Sequence, residues 1–424
     1  MKILFCTGEL DLNFTATNKI AFEMAARLVD KGHCCLMAGI ALDSAPSERV
    51  DRGVDMIRLN SAAPTDVAQQ KLERYCSEHK GETRSKAKKA FMLRHPISAA
   101  VLGYRYSPFS FPQPTAASYK KQVKKIIPRE NPDCIIVTYM PFPEAQGVFD
   151  LPEVHCPIYA YQMDPWGLHR LPELCKDEAL HICQEVEIFQ KARHIFTTPI
   201  LLRQYANRNE YQPYLAKMTP LDFPNIRKIK VSCQGKSAFN FEGNYTNIVY
   251  CGIIEDDYRS PETLLQGIKA LVDRGADIRL YFVGINLSDS VKRFARLFPD
   301  WFFIHSPVPL DSAFATMAGA DILLNISNTL DNQVPSKIFD YFSMGKPILN
   351  VQKIPDCPSR EYFDRYPLSF TFDEKHPNID GMGEFLIKAK GKSIDFSEVE
   401  RLFPTATAQY AADVIEKIIT TKGE

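Results

Sequence analysis

Paired cysteines are missing from this chain of 424 residues: its eleven cysteines are scattered and none form a C-x-x-C pair. That pattern argues against a disulfide framework or a zinc site and fits a reducing compartment. Cys34 and Cys35 are adjacent inside an apolar run and read as buried strand residues. A charge excess is missing too. Lys plus Arg and Asp plus Glu both number 51, whereas bulk nucleic-acid binding needs a basic surplus. No apolar run approaches the roughly 18–20 residues that span a bilayer. The opening MKILFCTG runs straight into a strand pattern with no signal peptide. The expectation is a cytoplasmic protein that uses no metal and no cofactor.

What is present is a composition of 45% apolar and 24% charged residues, ordinary for a soluble chain with a large core and long enough for two or three domains. KILFCTG is a continuous apolar run, as in a strand buried on both faces. NKIAFEMAARLVDKGH then keeps a helical period through Ile20, Met24, Leu28 and Val29, and Gly32 stops it. CCLMAGIAL, VDMIRLN, DCIIVTYM, PIYAYQM and HIFTTP are further strand patterns between helical ones, which implies a parallel sheet covered by helices. The pattern lapses near 225–246 and restarts at TNIVYCG. It continues through helical patterns at 261–274, 289–297 and 310–319, with the strands IRLYFVG, WFFIHS and DILLNIS. The fold class expected is α/β, with two Rossmann-like doubly wound domains facing each other across a cleft. Their expected bounds are 1–226, with an insertion at about 61–130, a linker at 227–246, and 247–404. A helix at 405–420 is expected to pack back on the first domain. Ligands in such sheets sit at the carboxyl ends of the strands.

The segment NQVPSKIFDYFSMGKPIL, at 332–349, carries the clearest chemical signal. Pro335 suits a first helical turn, Ser336 suits a cap, and Gly345 and Pro347 close the helix. Free N–H groups at the helix start favour an anion, and Lys337 adds a positive charge there. Asp340 lies one turn deeper, where a carboxylate would accept hydroxyl hydrogen bonds. The residues therefore fit a nucleotide diphosphate, with Lys337 on phosphate and Asp340 on ribose. A solvated i,i+3 pair of Lys337 and Asp340 is the alternative.

Pro335, Ser336, Lys337, Asp340, Tyr341, Gly345, Lys346 and Pro347 match the P-S-K-x-x-E-Y-x-x-x-G-K-P of many bacterial family-4-like glycosyltransferases. The segment resembles the donor-site helix of those retaining enzymes of the GT-B fold. The family often has two glutamates eight positions apart, and here Asn332 and Asp340 hold those positions. The resemblance implies a GT-B architecture and transfer of a sugar from a nucleotide-diphosphate donor to a glycan or lipid-linked glycan. It also implies a setting in bacterial surface polysaccharide synthesis. VYCGIIEDDYRSPETLLQGI resembles the family's donor strand-loop-helix. Ile253 replaces the usual Arg after Gly252, which leaves Arg259 to meet the diphosphate. Gly284 and Val308 fall in stretches that resemble the two nucleotide-facing loops.

In the first half the family's Gly-Gly pair is absent, and Ala16 and Thr17 stand in its region, followed by Asn18, which the resemblance places on the acceptor side and which is otherwise a cap by default. YQMDPWGLHR resembles the family's D-x-W-P element. It makes Asp164 the candidate for the acceptor hydroxyl, with Trp166 and His169 beside it on the acceptor side. Asp164 alternatively reads as a turn residue before Pro165. Between 80 and 130 twelve lysines and arginines face two glutamates, interleaved with aromatics. Lys86, Lys88, Lys89, Arg94, Lys120, Lys121, Lys124 and Lys125 are the core of that patch. Basic plus aromatic is the composition of an interfacial element, so an anionic membrane at the inner face is the partner expected there. Solvated lid helices are the alternative, and no nucleic-acid motif is present. An epimerase on the same fold and an inactive sugar-nucleotide-binding protein are the competing functions.

Overall fold

The computed structural model describes residues 1–10, 16–41, 48–60, 64–78, 84–105, 112–139, 142–169, 177–231, 235–254, 259–284 and 288–421. The chain forms two compact units, Met1–Pro224 with Ala408–Glu424, and Asn225–Thr407.

The first unit is built on an eight-stranded sheet. Its strands are β1 (Lys2–Glu9), β2 (Cys34–Ile40), β3 (Glu48–Asp51), β4 (Val54–Leu59), β5 (Cys134–Thr138), β6 (Ile158–Gln162), β7 (His194–Thr197) and β8 (Met218–Pro220), in the order β3-β4-β2-β1-β5-β6-β7-β8. All pairs are parallel except β3 with β4. That exception follows from Arg52 and Gly53, whose φ values of 46° and 75° make a tight two-residue hairpin. The apolar runs read from the sequence are the buried strands, with Leu4, Ile135, Ala160 and Ile195 in one continuous core. Helix Ala16–Asp30 covers the sheet next to helix Ala408–Thr420, where Lys31 Nζ meets Asp413 at 2.9 Å. The region 61–130 holds four helices: Pro64–Glu78, Arg84–Arg94, Pro96–Arg105 and Pro112–Glu130. The first three enclose a small core of Ala68, Leu72, Phe91 and Leu102. Lys80 and Glu82, and the side chains of Arg84, Lys86 and Arg105, lie outside the described residues.

The second unit has six parallel strands: β9 (Thr246–Cys251), β10 (Ile278–Val283), β11 (Phe302–His305), β12 (Ile322–Ile326), β13 (Ile348–Gln352) and β14 (Ser369–Asp373). Their order is β11-β10-β9-β12-β13-β14. This is the Rossmann order, and the chain reverses direction across the sheet between β9 and β12. Side chains fix the register beside that reversal. Asn325 on β12 donates to Asn350 on β13 at 2.8 Å, and Asn350 donates to Thr371 on β14 at 3.3 Å. A slip of one residue would bury these amides without partners, so the ladder specifies one pairing. Helix Glu262–Asp273 covers one face through Leu264, Leu265, Ile268 and Leu271, all buried at helical spacing. The stretch 225–246 clusters with this unit, and Ile226 bridges Thr407. Among the described residues no helix is long and apolar enough to cross a membrane.

Candidate functional site

The reversal between β9 and β12 is where an open α/β sheet leaves a crevice at its carboxyl edge. Gly252 follows β9 there and Gly284 follows β10. Gly252 N–H donates to Val283 O at 2.8 Å, so the two strand ends run side by side. A Cβ on Gly284 would overlap the carbonyl oxygen of Gly252, and a Cβ on Gly252 would overlap the ammonium of Lys337. Gly284 is therefore a steric requirement, and at Gly252 it is the φ of 154° that disfavours a side chain. The space a side chain would take at position 252 is the space the lysine head occupies.

Lys337 begins the seven-residue helix Lys337–Ser343, reached from β12. Its Nζ lies 5.1 Å from the centroid of the Tyr250 ring, whose hydroxyl donates to Ile253 O at 2.8 Å. Burial first, and the charge of Arg259 second, push the lysine down to about 8. Two half-buried cations thus share a corner at the strand ends. Like charges this close oppose each other, and an anion bound there would offset that.

Asp340 stands one turn on, but not in an ion pair with Lys337. Its Oδ1 lies 2.7 Å from Nη2 of Arg227, each side chain about one-fifth exposed. The approach is off the N–H axis, so charge rather than a directed hydrogen bond holds the pair. Arg227 is itself tethered by Asn225, whose main-chain oxygen accepts from Nη1 at 2.9 Å. Asn225 Nδ2 also donates to Ser336 O at 3.3 Å, pinning the helix start. Ser336 was expected to cap this helix. It has helical dihedrals of −57° and −21° and makes no side-chain cap bond, so that expectation is corrected. The backbone is already helical at Ser336, which carries its hydroxyl away from the geometry of a cap.

Asn332 is fully buried, Pro335 half-buried, and Val308 half-buried between exposed Pro307 and Pro309. Gly252, Gly284, Arg259, Lys337 and Asp340 are thus gathered around one strand edge, while Val308 lies on the loop after β11. Residues 255–258 and 285–287, parts of the two candidate loops, are outside the described residues. The sequence reading missed Tyr250, Asn225 and Arg227. Arg227 stands in NIRKIK, where it reads as one more solvated cation before a polar stretch.

The first unit holds the other candidates. Asp164 follows β6, and burial raises its carboxyl to about 6, a value suited to accepting a proton near neutrality. The turn after it is clamped by a residue the sequence reading did not single out. Glu185, fully buried on helix Glu178–Lys191, accepts the Trp166 N–H at 2.9 Å and the Gly167 N–H at 3.2 Å. It also accepts from Gln162 at 2.6 Å, Tyr211 at 2.6 Å and Tyr205 at 3.1 Å. Five neutral donors surround one carboxylate. Burial pushes that carboxyl above its ordinary value, and the donors pull it back. Trp166 stacks on Phe142 with centroids 4.3 Å apart and donates through its indole to Gln184 at 2.9 Å. His169 is buried, and Asn18 is buried in the first turn of helix Ala16–Asp30 rather than at its cap. Among the described residues no cluster of His, Cys, Asp or Glu is arranged to hold a metal.

No protein-family model and no curated protein sequence matches the chain. Solved structures do. The sucrose-phosphate synthase of Thermosynechococcus elongatus superposes with a TM-score of 0.65 at 10% identity, over 99% of this chain and 98% of that one. A glycosyltransferase from Rickettsia africae gives 0.58 at 10% identity over 99% of both chains. The UDP-GlcNAc 2-epimerase of Neisseria meningitidis, solved with UDP-GlcNAc, gives 0.52 at 12% identity over 100% of both chains. At such identities the likeness establishes the fold, and that fold is GT-B-like, with two Rossmann-like domains.

Proposed function

We propose that the chain is a glycosyltransferase of the family-4-like, retaining type, moving a sugar from a nucleotide-diphosphate donor to a glycan or lipid-linked glycan. The observation that carries this reading is the Lys337 ammonium lodged against Gly252 beside Arg259, at the reversal point of the second sheet. A leaving diphosphate gains negative charge in the transition state, and preorganised cations in a half-buried corner stabilise it more than they stabilise the donor. Asp340, with one oxygen beside Arg227, keeps the other for a ribose hydroxyl. Asp164 is the group assigned to the acceptor hydroxyl, its raised carboxyl able to take the proton as the new bond forms. The fold relatives named above include a sucrose-phosphate synthase, a glycosyltransferase and an epimerase solved with UDP-GlcNAc, and the last shows a sugar nucleotide bound on this fold.

The epimerase is the second reading, favoured by the whole-chain likeness to the Neisseria enzyme. Two measurements separate the readings. A thermal-shift screen of UDP-, GDP-, ADP- and CMP-sugars identifies the donor. Incubation with that donor alone then yields no epimer if the chain is a transferase. An epimer formed without acceptor overturns the proposal, and stabilisation by none of the donors overturns both readings.

The lipid-linked acceptor is supported by the helices of the 61–130 region. Leu93 and Ile97 are 84% and 81% exposed, and Lys88, Lys89 and Arg94 are exposed around them. Apolar side chains rimmed by cations suit the headgroup boundary of an anionic bilayer. Cosedimentation with anionic vesicles is expected to weaken with salt and to fall when Lys86, Lys88 and Lys89 become Glu. Binding indifferent to both changes would rule out the electrostatic part of this reading.

A further inference from the structure

A cavity of about 970 Å³ opens in the first unit at the amino ends of β6 and β7, the sheet edge opposite Asp164. One side is apolar, formed by Phe149, Leu151, Val154 and Ile158. The charged groups on it are Lys120, Lys191, Arg193 and Lys217 against the single carboxylate of Asp150. In a chain of net charge zero, a surplus of three positive charges in one cavity is a local arrangement and not a consequence of composition.

The backbone fixes where two of these side chains start. A Cβ at Gly147 would come 2.5 Å from Ala116 O and 3.2 Å from Lys120 N. Gly147 therefore lets helices Pro112–Glu130 and Phe142–Phe149 touch along their backbones and sets Lys120 beside the end of the second. Arg193 N–H donates to Ile158 O at 2.7 Å, which fixes its main chain beside β6, while its guanidinium is exposed at the mouth of the cavity. Two of the cations already have duties. Lys191 pairs with Asp150 at 2.9 Å, and Lys217 donates to Ala192 O at 2.8 Å, closing the end of helix Glu178–Lys191. Lys120 and Arg193 have no carboxylate within ion-pair distance among the described residues. The charge of Arg193 is felt inside the unit, together with that of Lys217. His194 is pushed below its ordinary value by burial and then by Lys217 and Arg193. Lys120 is half-buried here, whereas Lys121, Lys124 and Lys125 on the same helix are exposed, which separates it from the surface patch.

We propose that this cavity binds an anion of the phosphate class, with Lys120 and Arg193 as its two ligating cations. A planar guanidinium fork and a mobile ammonium together match a group with several charged oxygens better than a lone carboxylate. The site is independent of the donor corner, which lies in the other unit. The phosphate belongs either to a small soluble ion or to a lipid headgroup whose chains lie on the Phe149–Leu151 side.

Cys156 lines the cavity, half-buried and free, and gives a local reporter. Its alkylation by iodoacetamide, followed by peptide mass spectrometry on the full chain, is measured with sodium pyrophosphate or with vesicles. The vesicles are phosphatidylcholine with and without phosphatidic acid. At about ten times the dissociation constant a bound anion leaves roughly a tenth of the sites free, so labelling slows about tenfold. The Lys120→Gln/Arg193→Gln double variant, with its fold checked by circular dichroism, is expected to lose this protection. Lys337→Ala is expected to keep it, which separates this site from the donor corner. Protection by pyrophosphate assigns a soluble phosphate, and protection only by the phosphatidic acid vesicles assigns a headgroup. No protection by any probe, or protection that survives the double variant, overturns the proposal.

Discussion

Glu185→Ala is expected to destabilise the first unit by about 3–5 kcal/mol, the range seen when a buried hydrogen-bonded network loses its centre. The carboxylate is fully buried and takes donors from Gln162, Tyr205, Tyr211 and two main-chain N–H groups of the Trp166–Gly167 turn. Each orphaned donor costs about 1–3 kcal/mol, and water entering the vacated space recovers part of the total. Glu185→Gln keeps the volume but turns one donor toward donors, so a loss of about 1–3 kcal/mol is expected. The two tryptophans fall one in each unit, so urea unfolding followed by Trp166 fluorescence in a Trp301→Phe background reads the first unit alone. A loss below about 1 kcal/mol for the Ala variant would show that the network carries no stability.

The sign of the titration adds a second test. Burial outweighs the donors and lifts the Glu185 carboxyl above 4.5. The folded chain therefore keeps a proton that the unfolded chain has released. That contribution is fully present below the unfolded value and is lost as pH rises through the folded one. Wild type should lose stability relative to Glu185→Gln over that window. The charge is thus a net cost to the fold even though removing the whole carboxyl group is worse. A group of that kind acts by holding a conformation, here the turn that follows Asp164.

Both units were legible in the sequence because their strands are continuous apolar runs. β9 is buried at every position, and a run of that length and composition has few other homes. β3 was not legible, since ERVD has no apolar alternation and its pairing comes from the Arg52–Gly53 turn. The corner around Lys337 stood out in its parts. Lys337, Gly252 and Arg259 stand out as residues, but that the lysine head fills the place of a side chain at 252 depends on strand order, which no local pattern encodes. Glu185 had a signal that went unread. It sits between Ile182 and Ile188, inside the apolar stripe of its helix, where a glutamate must have buried partners. Arg227 had none, because its partner Asp340 is remote in the chain and both read as solvated charges.

Lys337→Met is expected to stabilise the second unit at neutral pH while removing affinity for a nucleotide diphosphate. The lysine stands at about 8 in the folded chain against 10.5 ordinarily, so holding it charged costs up to about 3 kcal/mol at pH 7. Methionine fills similar space without the charge. The sign follows from proton counts. Between about 8 and 10.5 the unfolded chain binds a proton that the folded chain has lost, so wild-type stability from this group rises with pH across that window. The advantage of Lys337→Met should be full below 8 and fade toward 10.5, as read from paired urea titrations in which all other groups cancel. Diphosphate affinity should fall by about 1–3 kcal/mol, the range for a hydrogen bond to a charged group, with nucleoside affinity nearly unchanged. Binding to wild type above pH 8 should also take up a proton, because the arriving anion restores the ammonium. Calorimetry in two buffers of different ionisation enthalpy detects that uptake. A variant less stable than wild type at pH 7 and still able to bind diphosphate would mean that the lysine is a structural cation, and the corner against Gly252 would lose its claim to the donor.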